Sequence, residues 1–190
     1  MSQLNRDQTR YIDKFIKMSQ APKLLKFFPN TKEITESMGG FFALKKIGLE
    51  KLFGQKDVLC VIVGDGTTPR TGALIASATK WDVVSVDPRL KKTYDFNNLA
   101  CINKNIENAK INYCKYNKII ILMVHSHAYY GEWVEAFSDK EAYIVDIPCC
   151  IEDEPPSPFS LKDTYEDKSI LGEKNIVYLY DNKIEKETIK

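Results

Sequence analysis

The sequence predicts an α/β fold: a doubly wound, mostly parallel sheet with helices on both faces. Three observations predict it. Val58–Val63 and Ile119–Val124 are apolar at every position, which is typical of strands covered on both faces. Segments with helical periodicity alternate with such runs along the chain. A turn from Gly64 to Gly66 follows the first run and precedes a helical segment rich in small residues.

The part of the chain before the first strand predicts helices. Tyr11, Phe15 and Met18 fall on one helical stripe, and Pro22 interrupts this pattern. Asn30 or Thr31 is placed to cap a second helix. We therefore expect an N-terminal helical extension over residues 1–54 and the α/β domain over residues 55–190, together forming one compact unit.

The remaining elements follow from short apolar runs and from turn residues between them. The segment Ile151–Pro158 carries three prolines and three acids and predicts a loop or lid. The last strand is expected at an edge of the sheet. Further strands are expected at Val83–Val86, Leu99–Ile102, Ala142–Ile147 and Asn175–Tyr180, with helices at Thr71–Lys80, from the third strand to about Tyr113, and at Tyr130–Phe137.

Composition excludes several classes of protein. The 190 residues carry 27 Lys and Arg against 26 Asp and Glu, so there is no strong signal for nucleic-acid binding. The longest apolar runs fall far short of the ~20 residues of a membrane helix, and the polar start lacks a secretory signal. The five cysteines form no disulfide framework, which favours a reducing, cytoplasmic location.

The glycine turn predicts a ligand site when it is combined with the acid after the next strand. Gly64 and Gly66 allow close approach of the backbone, and free amides at the start of the following helix attract negative charge. Asp87, followed by Pro88, ends the second strand and is placed to accept both hydroxyls of a ribose. Arg70 lies in the first helical turn, where it can bind a carboxylate or phosphate. A glycine turn and an Asp-Pro pair that serve only as turns are the alternative.

Two common nucleotide motifs are disfavoured. The dinucleotide fingerprint needs glycine or alanine where this chain has Pro69. A P-loop needs a spacing and a lysine that are absent between Gly66 and Gly72.

The run Val61–Gly66 resembles motif I of the class I S-adenosylmethionine-dependent methyltransferases, and Val84–Asp87 resembles the acidic tip of that family's second strand. Val124–Ala128 and Ile147–Cys150 resemble a group within it that has a histidine after the fourth strand and a Pro-Cys-Cys after the fifth. The motifs span residues 57–150. Thr68 replaces the family's third glycine, and the [DN]-P-P-[FYW] signature is absent.

The resemblance implies a Rossmann-like sheet of seven strands, with one strand after Cys150 inserted antiparallel near an edge. It also implies S-adenosylmethionine as the cofactor, with a small-molecule methyl donor as partner and an acceptor that the sequence does not identify. The donor would lie over the four residues Gly64, Asp65, Gly66 and Thr67. Its ribose would lie on Asp87, and its adenine near Leu90 and Asn103.

His125 and His127 follow the fourth strand, and the fifth strand should bring Cys149 and Cys150 close to them. Three interpretations remain open. One histidine acts as a general base or orients a methyl acceptor, and we assign both as catalytic candidates. Two histidines and the cysteines hold Zn²⁺, although the usual ligand spacing is missing, so no metal is assigned. Alternatively, these side chains are strand-end groups satisfied by loop amides.

The leading hypothesis is therefore an S-adenosylmethionine-dependent methyltransferase of unknown acceptor. A catalytically silent Rossmann-like binding or structural subunit, or another nucleotide-using enzyme, is the alternative.

Overall fold

The computed structural model describes residues 6–91, 96–150 and 153–182. Ile151 and Glu152 of the expected loop, and the ends of both expected domains, lie outside these residues. The strands are β1 (Val58–Val63), β2 (Asp82–Val86), β3 (Leu99–Ile102), β4 (Lys118–Val124), β5 (Glu141–Ile147), β6 (Ser160–Glu166) and β7 (Ile176–Asp181).

The seven strands form one sheet in the order β3-β2-β1-β4-β5-β7-β6. The pairs from β3 through β5 are parallel, and β7 is antiparallel to both β5 and β6. The predicted fold class is confirmed, including the inserted antiparallel strand. The last strand is not at an edge as predicted. It lies between β5 and β6, because the exposed strand β6, which carries a bulge between Leu161 and Asp163, takes the edge position.

Helices cover one face of the sheet. Alternate β1 residues, such as Cys60 and Ile62, pack on this face against Leu44 and Leu74 in a hydrophobic cluster that also includes Phe15. The helices that precede residue 54 thus share a core with the strands that follow it. The helices are α1 (Arg6–Ile16), α2 (Ala21–Leu24), α3 (Thr31–Lys46), α4 (Arg70–Ala78) and α5 (Glu132–Glu135).

The opposite face is covered by shorter elements. Val61 and Val63 of β1 pack there with Ile106 and with Val134 of the one-turn helix α5. The helix predicted to run to Tyr113 is absent, and the segment after β3 has one 3-10 turn, at Ile106–Asn108. The asparagines in this segment compete for backbone hydrogen bonds, which favours turns over helix. None of the described helices has both the length and the apolar composition that a membrane crossing requires.

Candidate functional site

The turn after β1 has the backbone geometry that its glycines predict. Gly64 and Gly66 have φ of +77° and +78°, in the left-handed region that residues with a Cβ rarely adopt. A Cβ on Gly64 would lie 2.4 Å from Ser126 Oγ and 3.0 Å from Ser126 Cα, so the turn passes directly against the loop after β4. The Gly64 N–H donates to the Val86 carbonyl at 2.8 Å, which ties the ends of β1 and β2 together.

Asp65 holds this turn to the start of α4. Its carboxylate accepts hydrogen bonds from the backbone N–H groups of Thr71 and Gly72, each at 2.9 Å, and from Ser85 Oγ at 2.7 Å. Burial raises the pKa of Asp65 to about 6, and the three hydrogen bonds act in the opposite direction. Because its carboxylate is engaged inside the protein, only the backbone of Asp65 remains for a ligand.

Asp87 lies at the tip of β2, as predicted, and its carboxylate has partners within the chain. Oδ2 accepts from the Gly66 N–H at 2.9 Å, and Oδ1 accepts from the Arg89 N–H at 2.7 Å. The Arg89 guanidinium also contacts both oxygens, at 3.3 and 3.5 Å. The Asp87 side chain is 3% exposed and that of Arg89 is 65% exposed. The arginine therefore covers the carboxylate from the solvent side.

A cavity of about 440 Å³ opens beside Asp87 at the carboxyl ends of β1 and β2. Leu90 and Asn103, the residues expected near an adenine, are not among its lining residues. The Asn103 amide donates instead to the Leu90 carbonyl. The lining residues are Val63, Gly64, Val86, Asp87, Pro88, Arg89, Asn105, Ile106, Glu107, His127, Ala128 and Tyr129.

A second cavity, of about 220 Å³, lies on the other side of the glycine turn. Gly64, Arg89 and His127 line both cavities, so the two adjoin along the turn. Charged and polar side chains from α3, α4 and the strand ends dominate the smaller cavity. Its lining residues are Lys32, Glu33, Glu36, Ser37, Gly64, Asp65, Gly66, Arg70, Thr71, Arg89, Val124, His125, His127 and Cys149.

Two residues predicted to bind the ligand differ in position. Arg70 lines the smaller cavity, where its Nη2 lies 3.2 Å from Glu33 Oε2 and 2.7 Å from an ideal Cβ on Gly66. Its guanidinium therefore crosses the turn and is already paired with an acid. Thr67 is exposed and is not among the residues that line either cavity, and its carbonyl accepts from the Lys91 N–H at 3.1 Å.

His125 faces the smaller cavity in an unusual backbone conformation. Its φ is +51°, and its N–H donates to the Ile147 carbonyl at 2.8 Å. Nδ1 lies 3.6 Å from Glu36 Oε1, and Nε2 is buried without a hydrogen-bond partner in the described part of the chain. Burial lowers the pKa of His125, and the Glu36 charge acts against this shift. The Lys174 backbone also interacts with the ring and raises its pKa, so His125 lies between α3 and the segment before β7.

Glu36 is a site residue that the sequence does not reveal. Its side chain is 5% exposed, and Oε1 also lies 3.0 Å from Lys32 Nζ. The helix α3 brings it there because Gly40 packs close to β4, where an added Cβ would meet Val124 at 3.0 Å and Leu122 at 3.1 Å. Gly40 therefore lets α3 pack closely on the sheet, although a glycine inside a helix costs ~1 kcal/mol relative to alanine. No local pattern marks Glu36.

His127 lines the smaller cavity together with His125 but has different partners. The left-handed residue at 125 bends the chain, so the two imidazoles diverge. His127 Nδ1 lies 3.4 Å from Cys150 Sγ, and the ligand atoms of His127, Cys149 and Cys150 are all within 4.8 Å of one another. The order of the strands predicts that the histidines and the cysteines lie close together. The structure places only His127 of the two histidines in a cluster with Cys149 and Cys150.

Comparisons with known proteins give structural likeness alone. No family model matches the chain, and no curated protein sequence matches it. A mutant of MtNAS in complex with S-adenosylmethionine is 11% identical, with a TM-score of 0.53 over 93% of this chain and 72% of that chain. Phosphoethanolamine N-methyltransferase 1 of Haemonchus contortus, in complex with phosphoethanolamine and S-adenosylhomocysteine, is 8% identical, with a TM-score of 0.50 over 92% of this chain and 48% of that chain. From its strand order and these similarities, the chain has the Rossmann-like fold of the class I S-adenosylmethionine-dependent methyltransferases.

Proposed function

We propose that the protein is an S-adenosylmethionine-dependent methyltransferase whose donor occupies the two adjoining cavities. One observation carries the proposal: the cavities meet at Gly64, at the carboxyl ends of β1 and β2, with Asp87 in the wall of the larger one. Ligands of open α/β sheets bind at this edge. The larger cavity, at about 440 Å³, is within the usual range of ~300–1,000 Å³ for small-molecule sites.

The adenosine end of the donor belongs in the larger cavity. Asp87 would accept the ribose hydroxyls there, and they would replace the two guanidinium contacts of Arg89. Pro88 and Ile106 provide apolar surface for the adenine. The Arg89 side chain is mostly exposed, so its displacement costs little packing.

The methionine end belongs along the glycine turn toward the smaller cavity. Gly64, Asp65 and Gly66 would contribute backbone atoms rather than side chains, whereas Thr67, the fourth residue predicted to bind the donor, lines neither cavity. Arg70 would bind the carboxylate of the donor, in competition with Glu33. A guanidinium matches a carboxylate in charge and in bidentate geometry, which suits it to this role.

The acceptor belongs in the smaller cavity beside His125. The sulfonium already carries a good leaving group, so placing the acceptor in line with the methyl group supplies much of the rate. The imidazole of His125, which lines this cavity, would orient the acceptor or take its proton, and Glu36 lies beside its Nδ1. His127, the second catalytic candidate, lies where the two cavities adjoin.

A catalytically silent binding subunit is the second candidate. The observation that favours it is that Asp87 and Arg70 both have partners within the chain. A silent subunit would retain these pairs, whereas a methyltransferase must exchange them for contacts with the donor.

Thermal unfolding with S-adenosylhomocysteine, NAD and ATP separates these functions. A ligand at 100 times its dissociation constant stabilises the folded protein by ~2.7 kcal/mol. Of the three ligands, we expect only S-adenosylhomocysteine to raise the midpoint temperature of unfolding. Asp87→Ala should largely remove the shift, and Asp163→Ala, a change on the exposed strand β6, should leave it intact.

The other outcomes reject the proposal. No shift with any ligand would favour the silent subunit. A shift with NAD or ATP, but none with S-adenosylhomocysteine, would indicate another nucleotide-using enzyme.

A further inference from the structure

The loops after β4 and β5 bring two cysteines and a histidine to one place. The two strands pair in parallel, with Val124 opposite Ile147 at their carboxyl ends. Chain direction then puts His127 three residues beyond one strand end, and Cys149 and Cys150 two and three residues beyond the other. The hydrogen bond from the His125 N–H to the Ile147 carbonyl fixes the two loops together at their base.

The distances among these side chains suit a single ion. His127 Nδ1 and Cys150 Sγ are 3.4 Å apart, and all three ligand atoms lie within 4.8 Å of one another. Zinc bonds of ~2.3 Å to sulfur and ~2.0–2.1 Å to nitrogen place tetrahedral ligands roughly 3.5–3.8 Å apart. The 3.4 Å pair is already near this spacing, and the other atoms, at up to 4.8 Å, must approach by about 1 Å to share an ion.

The donor set and its position indicate the type of site. Two thiolates and an imidazole are ligands that Zn²⁺ prefers, and three protein ligands leave one coordination position open. His127 and Cys149 both line the smaller cavity. We propose that His127 Nδ1, Cys149 Sγ and Cys150 Sγ bind one Zn²⁺, with the open position directed toward this cavity.

This site changes the role of His127. Its Nδ1 is a metal ligand, so proton transfer falls to His125 alone. The adjacent cysteines lack the spacing of common zinc motifs, so the sequence alone does not indicate a metal site. The third ligand comes close only because β4 pairs with β5. The site is defined by metal binding in the absence of any donor, so it stands or fails independently of the proposed function.

Metal titration of the full chain tests the site. Metal-free, reduced protein is titrated with Zn²⁺ in competition with a chromophoric chelator, and separately with Co²⁺. We expect one equivalent of Zn²⁺ to bind with a submicromolar dissociation constant. We also expect Co²⁺ to give the intense visible absorption of tetrahedral thiolate coordination.

Single variants identify the ligands. Loss of groups that only support a ligand weakens metal binding ~10–100-fold, so Cys149→Ser, Cys150→Ser and His127→Ala should each weaken it by more than roughly tenfold. The matched control is Cys114→Ser, an exposed cysteine at the opposite end of β4 that should leave affinity unchanged. Thermal unfolding of each metal-free variant verifies that it folds.

Three results would overturn the proposal. The first is binding of less than about a tenth of an equivalent of Zn²⁺ by the wild type, since a zinc site of this donor set binds far more tightly. The second is Zn²⁺ binding that the three variants leave unchanged. The third is a Co²⁺ complex without thiolate absorption, which excludes the cysteines even if a variant fails to fold.

Discussion

The guanidinium of Arg89 lies over the carboxylate of Asp87, with Nε 3.3 Å from Oδ1 and Nη2 3.5 Å from Oδ2. Under the proposed function, the hydroxyls of the donor's ribose would replace both contacts. An ion pair with one exposed partner contributes ~0–1 kcal/mol. Arg89→Ala should therefore tighten binding of S-adenosylhomocysteine by up to about fivefold, measured by isothermal titration calorimetry.

Lys91→Ala is the matched control for this change, because Lys91 is an exposed cation two residues away. It should leave the affinity unchanged. Binding that weakens severalfold in Arg89→Ala would show that the arginine contacts the ligand instead of competing with it.

Gly64→Ala should destabilise the protein more than Gly48→Ala. Both glycines have nearly the same left-handed φ, +77° and +76°, which costs an L-residue ~1–2 kcal/mol. An added Cβ at Gly48 meets nothing within 4 Å, whereas at Gly64 it meets Ser126. We expect the Gly64 variant to lose a further ~1–3 kcal/mol from this overlap, measured by urea unfolding. Equal losses would mean that the loop after β4 is not packed against the turn.

Asp146→Asn should stabilise the protein increasingly as pH rises. Burial raises the pKa of Asp146 to about 6, although the Tyr130 hydroxyl donates to it at 2.9 Å. The native state thus favours the protonated acid, so the stability that this group contributes is full below pH 3.8 and is lost as pH rises through about 6. The gain of the variant over the wild type should grow by on the order of 2–3 kcal/mol between pH 4 and pH 7 in urea unfolding.

Asp82→Asn provides a control of opposite sign. The hydrogen bond from the Tyr116 hydroxyl lowers the pKa of Asp82, with help from Lys115. The stability that Asp82 contributes is therefore present above its ordinary pKa and is lost as pH falls. This variant should be less stable than the wild type at neutral pH, with the difference shrinking in acid. The same trend in both variants would contradict the assigned burial of Asp146.

His125→Gly should be more stable than His125→Ala. Both variants lose the imidazole, but only alanine retains the left-handed strain at φ +51°. That strain costs ~1–2 kcal/mol, and the added freedom of glycine in the unfolded chain offsets part of the gain. We expect a difference of ~1 kcal/mol by thermal unfolding. Ser126 has no positive φ, so Ser126→Ala should be more stable than Ser126→Gly. A more stable glycine variant at both positions would contradict the left-handed conformation of His125.

Much of the sheet is predictable because its strands are apolar over consecutive residues. The limits of β1 agree with the prediction at both ends, and β4 and β5 each begin one residue earlier than predicted. Strand β6 is not predictable in this way, because its residues are almost all exposed and its strand conformation depends on pairing with β7. A strand held by a distant partner leaves little local signal.

The candidate site also has a part that the sequence predicts and a part that it does not. The glycine turn and Asp87 are visible in the sequence because backbone geometry demands glycine and because strand ends share one edge. The contacts of Glu36 with His125, and of Arg70 with Glu33, join α3 to segments far along the chain. Their partners follow only from how α3 packs on the sheet, which no short motif encodes.

The edge position of β6 also bears on self-association. An unpaired outer strand offers free backbone groups to another chain, and charged side chains or a bulge counter this. β6 has both, since Lys162, Asp163 and Glu166 lie on it and its register shifts after Leu161. A second copy that approached this edge would have to bury charges and match an irregular ladder, so we expect no strand of another molecule to pair with β6.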